Sequence, residues 1–227
     1  MKLRSFVLLA MYPMAVASQA MGEEPSKASF SLQFSGLRSS TTTTKVEQNG
    51  IEQSSKTSSI LTQDLVDAYV WLTWDRFNVY LYPFQDANAL FTATYMVTET
   101  VELGFDFGFN TTKTDQPKDE LTARIFGLTG TLYTPLPNDI TLETGLVLDA
   151  TENKNVFIDN AGLETSSTSK GRFGRLNVGV VVPLAKNAWY YGGASLSLQT
   201  TKTDNTSKKS TASQFGLTLA ALRVTLD

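Results

Sequence analysis

The sequence predicts an all-β chain, a single closed antiparallel up-and-down transmembrane β-barrel. Three observations carry that reading. Apolar residues recur at every second position over long stretches, the period of a strand rather than a helix. Tight turns alternate with long polar links. Beyond the N-terminal segment no apolar run approaches the ~18 residues of a membrane helix.

The alternation is clearest in VELGFDFGFNTTKTD, residues 101–115. Val101, Leu103, Phe105, Phe107 and Phe109 share one face, with Glu102, Gly104, Asp106, Gly108 and Asn110 on the other. DITLETGLVLDA sets Ile140, Leu142, Leu146 and Leu148 against Thr141, Glu143, Gly145 and Asp149. GRFGRLNVGVVVPL sets Leu176, Val178, Val180 and Val182 against Arg175, Asn177 and Gly179. ALFTATYMV and SQFGLTLAALRVTL follow more loosely. Bulk decides which face looks inward. Eight to ten strands with four or five bulky residues each would put on the order of 40 large side chains into a lumen that a small barrel barely leaves room to fill. The apolar face, Val101 to Phe109 included, is therefore expected to meet lipid. Glycines such as Gly104, Gly108, Gly145, Gly179 and Gly193 are expected inside. Nine residues at ~3.3 Å, tilted by about 40°, span roughly 23 Å, near the ~25 Å apolar band of such barrels.

Tight turns are expected at Thr73–Arg76, Thr98–Thr100, Pro135–Asn138 and Ala185–Ala188, and long polar loops at residues 110–120, 151–171 and 200–213. Aromatic residues gather at the tight turns: Trp71 and Trp74, Tyr95, Tyr133, then Trp189, Tyr190 and Tyr191. This predicts an aromatic girdle at one membrane interface. Asn49-Gly50 suits a type I′ hairpin turn, so residues 28–47 and 51–72 read as two long strands. RFNVYLYPF and ALFTATYMV add a pair, for ten strands in all. The alternative is eight strands, with residues 46–88 as one excursion; ten is preferred because a loop of ~40 residues without structure of its own is improbable.

Lys2 and Arg4, the apolar run from Phe6 to Val16 and small residues at Ala17, Ser18 and Ala20 have the form of a secretory signal peptide over residues 1–20. Cleavage fits after Ala17 or Ala20. A tether at 21–27 then leads to a barrel domain at 28–227. The 227 residues carry 19 Lys and Arg against 22 Asp and Glu, with no basic block longer than Lys208-Lys209. That balance gives no footprint for nucleic acid. There is no cysteine, which removes disulfides, thiolate metal sites and a lipoprotein anchor.

Taken with ELGFDFGF and the turn in YTPLPNDI, this pattern resembles the small outer-membrane β-barrels of Gram-negative bacteria, the OmpX, OmpA-barrel and OmpW type. The resemblance covers residues 28–227 as a pattern, without a diagnostic motif. It implies an integral outer-membrane location, outer-membrane lipid and lipopolysaccharide as surroundings, and the barrel-assembly machinery as a partner in biogenesis. One departure is plain: members of this class usually end in an aromatic residue, whereas this chain ends LRVTLD.

The best-known barrel enzymes of that membrane rely on a histidine as catalytic base or dyad partner, and the chain has none. No catalysis, metal or cofactor is expected. Glu102, Asp106, Glu143 and Asp149, with Arg175 beside them, are expected to form a charge network that fills the lumen, since a narrow barrel must compensate any charge it encloses. Arg124 shares parity with Phe126 and Leu128 and so could face lipopolysaccharide phosphates at the outer rim. NTTKTD at 110–115 echoes QTTKTD at 199–204, read as polar, β-branched strand continuing into water. NTT at 110–112 and NTS at 205–207 match a glycosylation acceptor by accident. A structural or surface-interaction barrel is the expected function, with a narrow passive channel as the alternative.

Overall fold

The computed structural model describes residues 27–62, 67–81, 91–115, 118–158, 164–186, 188–204 and 208–226. The expected signal peptide, the tether up to residue 26 and NTS at 205–207 lie outside them. Eleven strands form among the described residues, in chain order: β1 (Lys27–Gln48), β2 (Ile51–Thr62), β3 (Asp67–Trp74), β4 (Phe77–Leu81), β5 (Phe91–Met96), β6 (Val101–Asp115), β7 (Lys118–Pro135), β8 (Thr141–Ile158), β9 (Glu164–Ala185), β10 (Ala188–Thr203) and β11 (Lys209–Leu226). Every pairing is antiparallel, and no helix occurs among the described residues.

From β3 to β11 each strand pairs with the next in sequence, as hairpin connections require. β11 pairs with β1 along Phe30–Glu47, which occupies one edge of β1. The other edge takes β2 over Arg38–Gln48 and β3 over Lys27–Gln33. β2 and β3 thus lie end to end along that edge. Residues 46–88, the excursion of the eight-strand alternative, instead hold β2, β3 and β4 within the sheet.

Left-handed residues sit where the turns demand them. Asn49 and Gly50 (φ 53° and 78°) make the β1–β2 turn, and Asn138 and Asp139 (φ 62° and 58°) make the β7–β8 turn. Two successive positive φ values match the right-handed twist of the flanking strands. Asp75 (φ 50°) closes the β3–β4 hairpin between the paired Trp74 and Phe77.

The expected long loops are a correction. Residues 110–115, 118–120, 151–158, 164–171, 200–203 and 209–213 continue as strand. Polar and β-branched residues such as Thr tolerate a pleated backbone without alternating with apolar ones, so these stretches lack the alternation that marks a strand in sequence. At the tip of β1, Thr41 Oγ1 and Ser58 Oγ of β2 are 3.2 Å apart, and Lys45 Nζ meets Glu52 Oε1 at 2.9 Å.

Register fixes the two faces. Asp106 stands opposite Gly127, Gly127 opposite Asp149, and Asp149 opposite Phe173, with no slip along β6–β9. On the opposite face Leu103, Phe105, Phe107 and Phe109 are 52, 43, 45 and 46% exposed, while Val101 is half-buried. Phe126, Leu128, Leu146, Leu148, Leu176, Leu196 and Phe215 extend this exposed apolar surface around the sheet. Over β3–β5 the same face carries the packed cluster Leu72, Trp74, Val79, Leu81 and Ala93, buried apart from exposed Tyr95 nearby.

Phe107→Arg is expected to destabilise the folded chain in a bilayer by roughly 2–4 kcal/mol, the range for a cation on the lipid face near midplane. Single cysteines at 106 and 107 test the facing in intact membranes. Labelling of position 107 by a water-soluble maleimide, with 106 shielded, would invert the assignment.

Candidate functional site

The inward face carries buried polar residues among apolar ones such as Ile125 and Val181, and Glu102 is held there by several hydrogen bonds. It lies at the start of β6 just after the bend at 97–100, and is only 4% exposed. Asn78 Nδ2 donates to its Oε1 at 3.0 Å and Tyr80 OH at 3.2 Å, while Thr94 OH donates to the same oxygen. Tyr133 OH donates to Oε2 at 2.7 Å. The pairing explains the convergence: Asn78 stands opposite Thr94, Glu102 opposite Met96 and Thr131, so four neighbouring strands turn short polar side chains to one point. Asn78 Oδ1 in turn accepts from Trp71 Nε1 at 3.1 Å and Thr73 OH at 3.0 Å, which fixes the direction of its amide. Trp71 stacks on Tyr80 with ring centroids 5.9 Å apart. This many hydrogen-bond donors stabilise a carboxylate removed from water.

A second cluster lies further along the strands. Asp106 and Asp149 share a register row with Gly127 between them. A Cβ on Gly127 would run into the Asp149 carboxylate and come within 2.7 Å of Leu148 O. Glycine there leaves the space the carboxylate occupies. Thr92 OH donates to Asp106 Oδ1. Asp106 Oδ2, Asp149 Oδ1 and Arg175 Nε are buried with no hydrogen-bond partner among the described residues. Arg175 stands opposite Val147, one side-chain step from Asp149, within electrostatic reach of both aspartates. Its guanidinium lies over the Phe173 ring, 5.6 Å from the centroid.

Of the five charged residues expected in one network, the fold groups Asp106, Asp149 and Arg175. Glu102 belongs to the separate cluster built from neutral donors. Glu143, half-buried, lies six residues down β8 from Asp149, a separation of about 20 Å along the strand. Toward the tight-turn end, Tyr191 fills the inner side over two glycines: a Cβ on Gly193 would meet its hydroxyl at 2.8 Å, and one on Gly179 would enter its ring.

The expected girdle divides between the two faces, which corrects it. Trp71 and Tyr133 point inward to Asn78 and Glu102. Trp189 stands opposite Pro183, on the face of Val181 and Tyr191. Tyr95 faces outward and is exposed, and Tyr190 faces outward with its hydroxyl donating to Leu219 O. Trp74 shares the outward register but is buried. Clustering at turns gives the depth of an aromatic; parity through the hairpin decides its face. Arg124 is outward and exposed, with Glu152 Oε1 at 4.0 Å from its guanidinium. Asn78, Tyr80, Thr92 and Thr94 were missed, although the alternation in FNVYL and FTATYM places each of them on the polar side.

No protein-family model matches the sequence, and no curated protein matches it. Among solved structures, Neisserial surface protein A is similar at 14% identity and a TM-score of 0.35, over 87% of this chain and 98% of that one. Ail, the attachment invasion locus protein of Yersinia pestis, is similar at 13% identity and 0.29, over 87% and 99%. The outer membrane protease OmpT from Escherichia coli is similar at 10% identity and 0.45, over 89% and 97%. At such identities no residue's role passes from them to this chain.

Tyr133→Phe is expected to cost about 1–3 kcal/mol, because Glu102 Oε2 loses its donor in a buried setting. Tyr95→Phe, a hydroxyl removed from the exposed outer face, is expected to stay within about 0.5 kcal/mol. Chemical unfolding of both variants in micelles checks the pair; equal effects would deny Glu102 the role assigned to it.

Proposed function

We propose that the chain is an integral β-barrel of a Gram-negative outer membrane, closed by the β1–β11 pairing into ten staves with β2 and β3 sharing one. Its interior is filled by side chains, and its role is structural or in surface interaction rather than catalytic. The observation that carries this reading is the inversion of burial. Bulky apolar residues such as Phe107, Phe126 and Leu128 are exposed, whereas Glu102, Asp106 and Asp149 are buried. Water would punish that arrangement, since a contiguous apolar belt is costly in solution and cost-free against acyl chains. Backbone groups at that depth need partners within the protein, which the β1–β11 ladder supplies at what would otherwise be two open edges.

The Glu102 cluster supports a blocked lumen at the tight-turn end. It joins β3 through β7 by hydrogen bonds among Trp71, Asn78, Tyr80, Thr94 and Tyr133. A narrow channel is the second reading, and one observation favours it: the unpartnered buried atoms of Asp106, Asp149 and Arg175 call for water in mid-lumen.

The mature protein is expected to fractionate with the outer membrane and to run as a heat-modifiable species on gels; recovery in the soluble periplasm would sink the proposal. Conductance in planar bilayers separates the two lumen readings. For a blocked lumen, wild-type conductance is negligible and Arg175→Ala costs on the order of 3–5 kcal/mol by leaving the aspartates uncompensated. For an open channel, the same change alters the reversal potential toward cation selectivity with little loss of stability.

A further inference from the structure

Outside the interior, the fold assembles a basic surface from residues scattered through the sequence. Lys170 of β9 stands opposite Lys202 of β10, and Lys202 opposite Lys209 of β11. Arg172 lies one side-chain step below Lys170 on the same face. With Lys208 they line a surface concavity of about 760 Å³, in which Glu47 of β1 is the single acid among the described residues. All five cations are exposed. Like charges directly opposite each other in a sheet repel, and three lysines in one row are arranged in the costlier way.

Neighbouring acids do not cancel the row. Glu152, opposite Lys170, is shared with Arg124, whose guanidinium lies 4.0 Å away. Glu47 stands opposite Lys209, and Asp204 lies two residues beyond Lys202. The two KTD echoes differ in this respect: Lys113 is paired in register with Glu120, but Lys202 is flanked by Lys170 and Lys209.

The position of the row relative to the belt defines what it fits. Outward residues of β9 run Leu184, Val182, Val180, Val178, Leu176 and Gly174 before reaching Arg172 and Lys170. Those ten residue steps at ~3.3 Å, tilted about 40°, measure roughly 25 Å, the height of the apolar band. On β10, Leu196 and Leu198 lie just below Thr200 and Lys202. The cations therefore begin where acyl chains end, on the end of the strands remote from the tight turns.

We propose that Lys170, Arg172, Lys202 and Lys209 form a docking site for a phosphorylated glycolipid whose phosphates sit immediately above its acyl chains. The site rests on the membrane reading and adds a specific partner to it. The acyl chains lie along Leu196, Leu198 and Phe215, and the phosphates neutralise the lysine row. Arg172 supplies the planar fork suited to a phosphate, with the lysines acting as point charges.

The test uses the full chain folded in detergent micelles, with diphosphoryl lipid A as the probe. Lipid A in about hundredfold excess over its dissociation constant is expected to raise the unfolding midpoint by about 5–10 °C, and 1 M salt is expected to shrink that rise. The triple variant K170Q/K202Q/K209Q is expected to fold at least as stably without lipid, since it removes the repulsion, and to lose most of the rise. K170R/K202R/K209R is expected to keep it. A rise that survives the Gln triple, or one that soluble pyrophosphate reproduces at equal phosphate concentration, overturns lipid docking. Heat-modifiable mobility reports folding in micelles separately, so a folded chain without a lipid A response overturns the docking site and leaves the membrane reading standing.

Discussion

Everything in this molecule depends on an unbroken period of two. Along β6 to β9 the antiparallel ladder holds one register over the full paired length, so every residue's parity assigns its face. A slip of one residue in β8 would turn Asp149 outward and Leu148 inward, exchanging that strand's whole set of side chains at once. The apolar belt, the Glu102 cluster and the lysine row are three consequences of that one constraint. Register shifts do occur, between Ser35 and Arg38 in β1 and between Tyr191 and Gly193 beside β11. They gather at the seam of first and last strands and near the tight-turn end, away from the Asp106 row.

Within that frame the two buried acidic clusters solve the same problem by different means. A carboxylate removed from water must be hydrogen-bonded or paired. Glu102 takes donors from hydroxyls and an amide on β4, β5 and β7, an arrangement rigidified by the Trp71 stack on Tyr80 and by the fixed direction of Asn78. Asp106 and Asp149 lie beside one another with Arg175 a step away, and their supply of donors from protein atoms is incomplete. Rigidity thus belongs to the tight-turn side of the interior, and polar slack to its middle. Gly127 marks the boundary condition, because only a residue without a Cβ lets Asp149 lie where it does.

How much of this was legible in the sequence follows from where each signal is stored. The facing of Phe105 against Asp106 is written within one strand, and reading it needs no partner. The identity of the strands that continue past the belt is not, because TTTTK or TSSTSK has water on both sides and no reason to alternate. Proximity to a turn gives Trp71 and Tyr133 their end of the strands but not their face, since it says nothing of parity until the turn's residue count is known. Asn78 and Tyr80 could have been found by extending the alternation of FNVYL across the Asp75-Arg76 turn. Nothing local could have found the lysine row. Lys170, Lys202 and Lys209 become neighbours only through two hairpins.

That contrast carries a wider point about this fold. A meandering sheet keeps neighbours in sequence as neighbours in space, so its local chemistry is readable strand by strand, whereas a property spanning three strands appears only when registers are known. Charge is the property most exposed to this blindness, because its effects reach about 10 Å through water, the width of two strand spacings. Net charge hides it as well: a chain with three more acids than bases still presents, among the described residues, five cations around one concavity against a single carboxylate. For a docking surface of the kind proposed, the local field and not the overall charge of the chain governs which ligands it attracts.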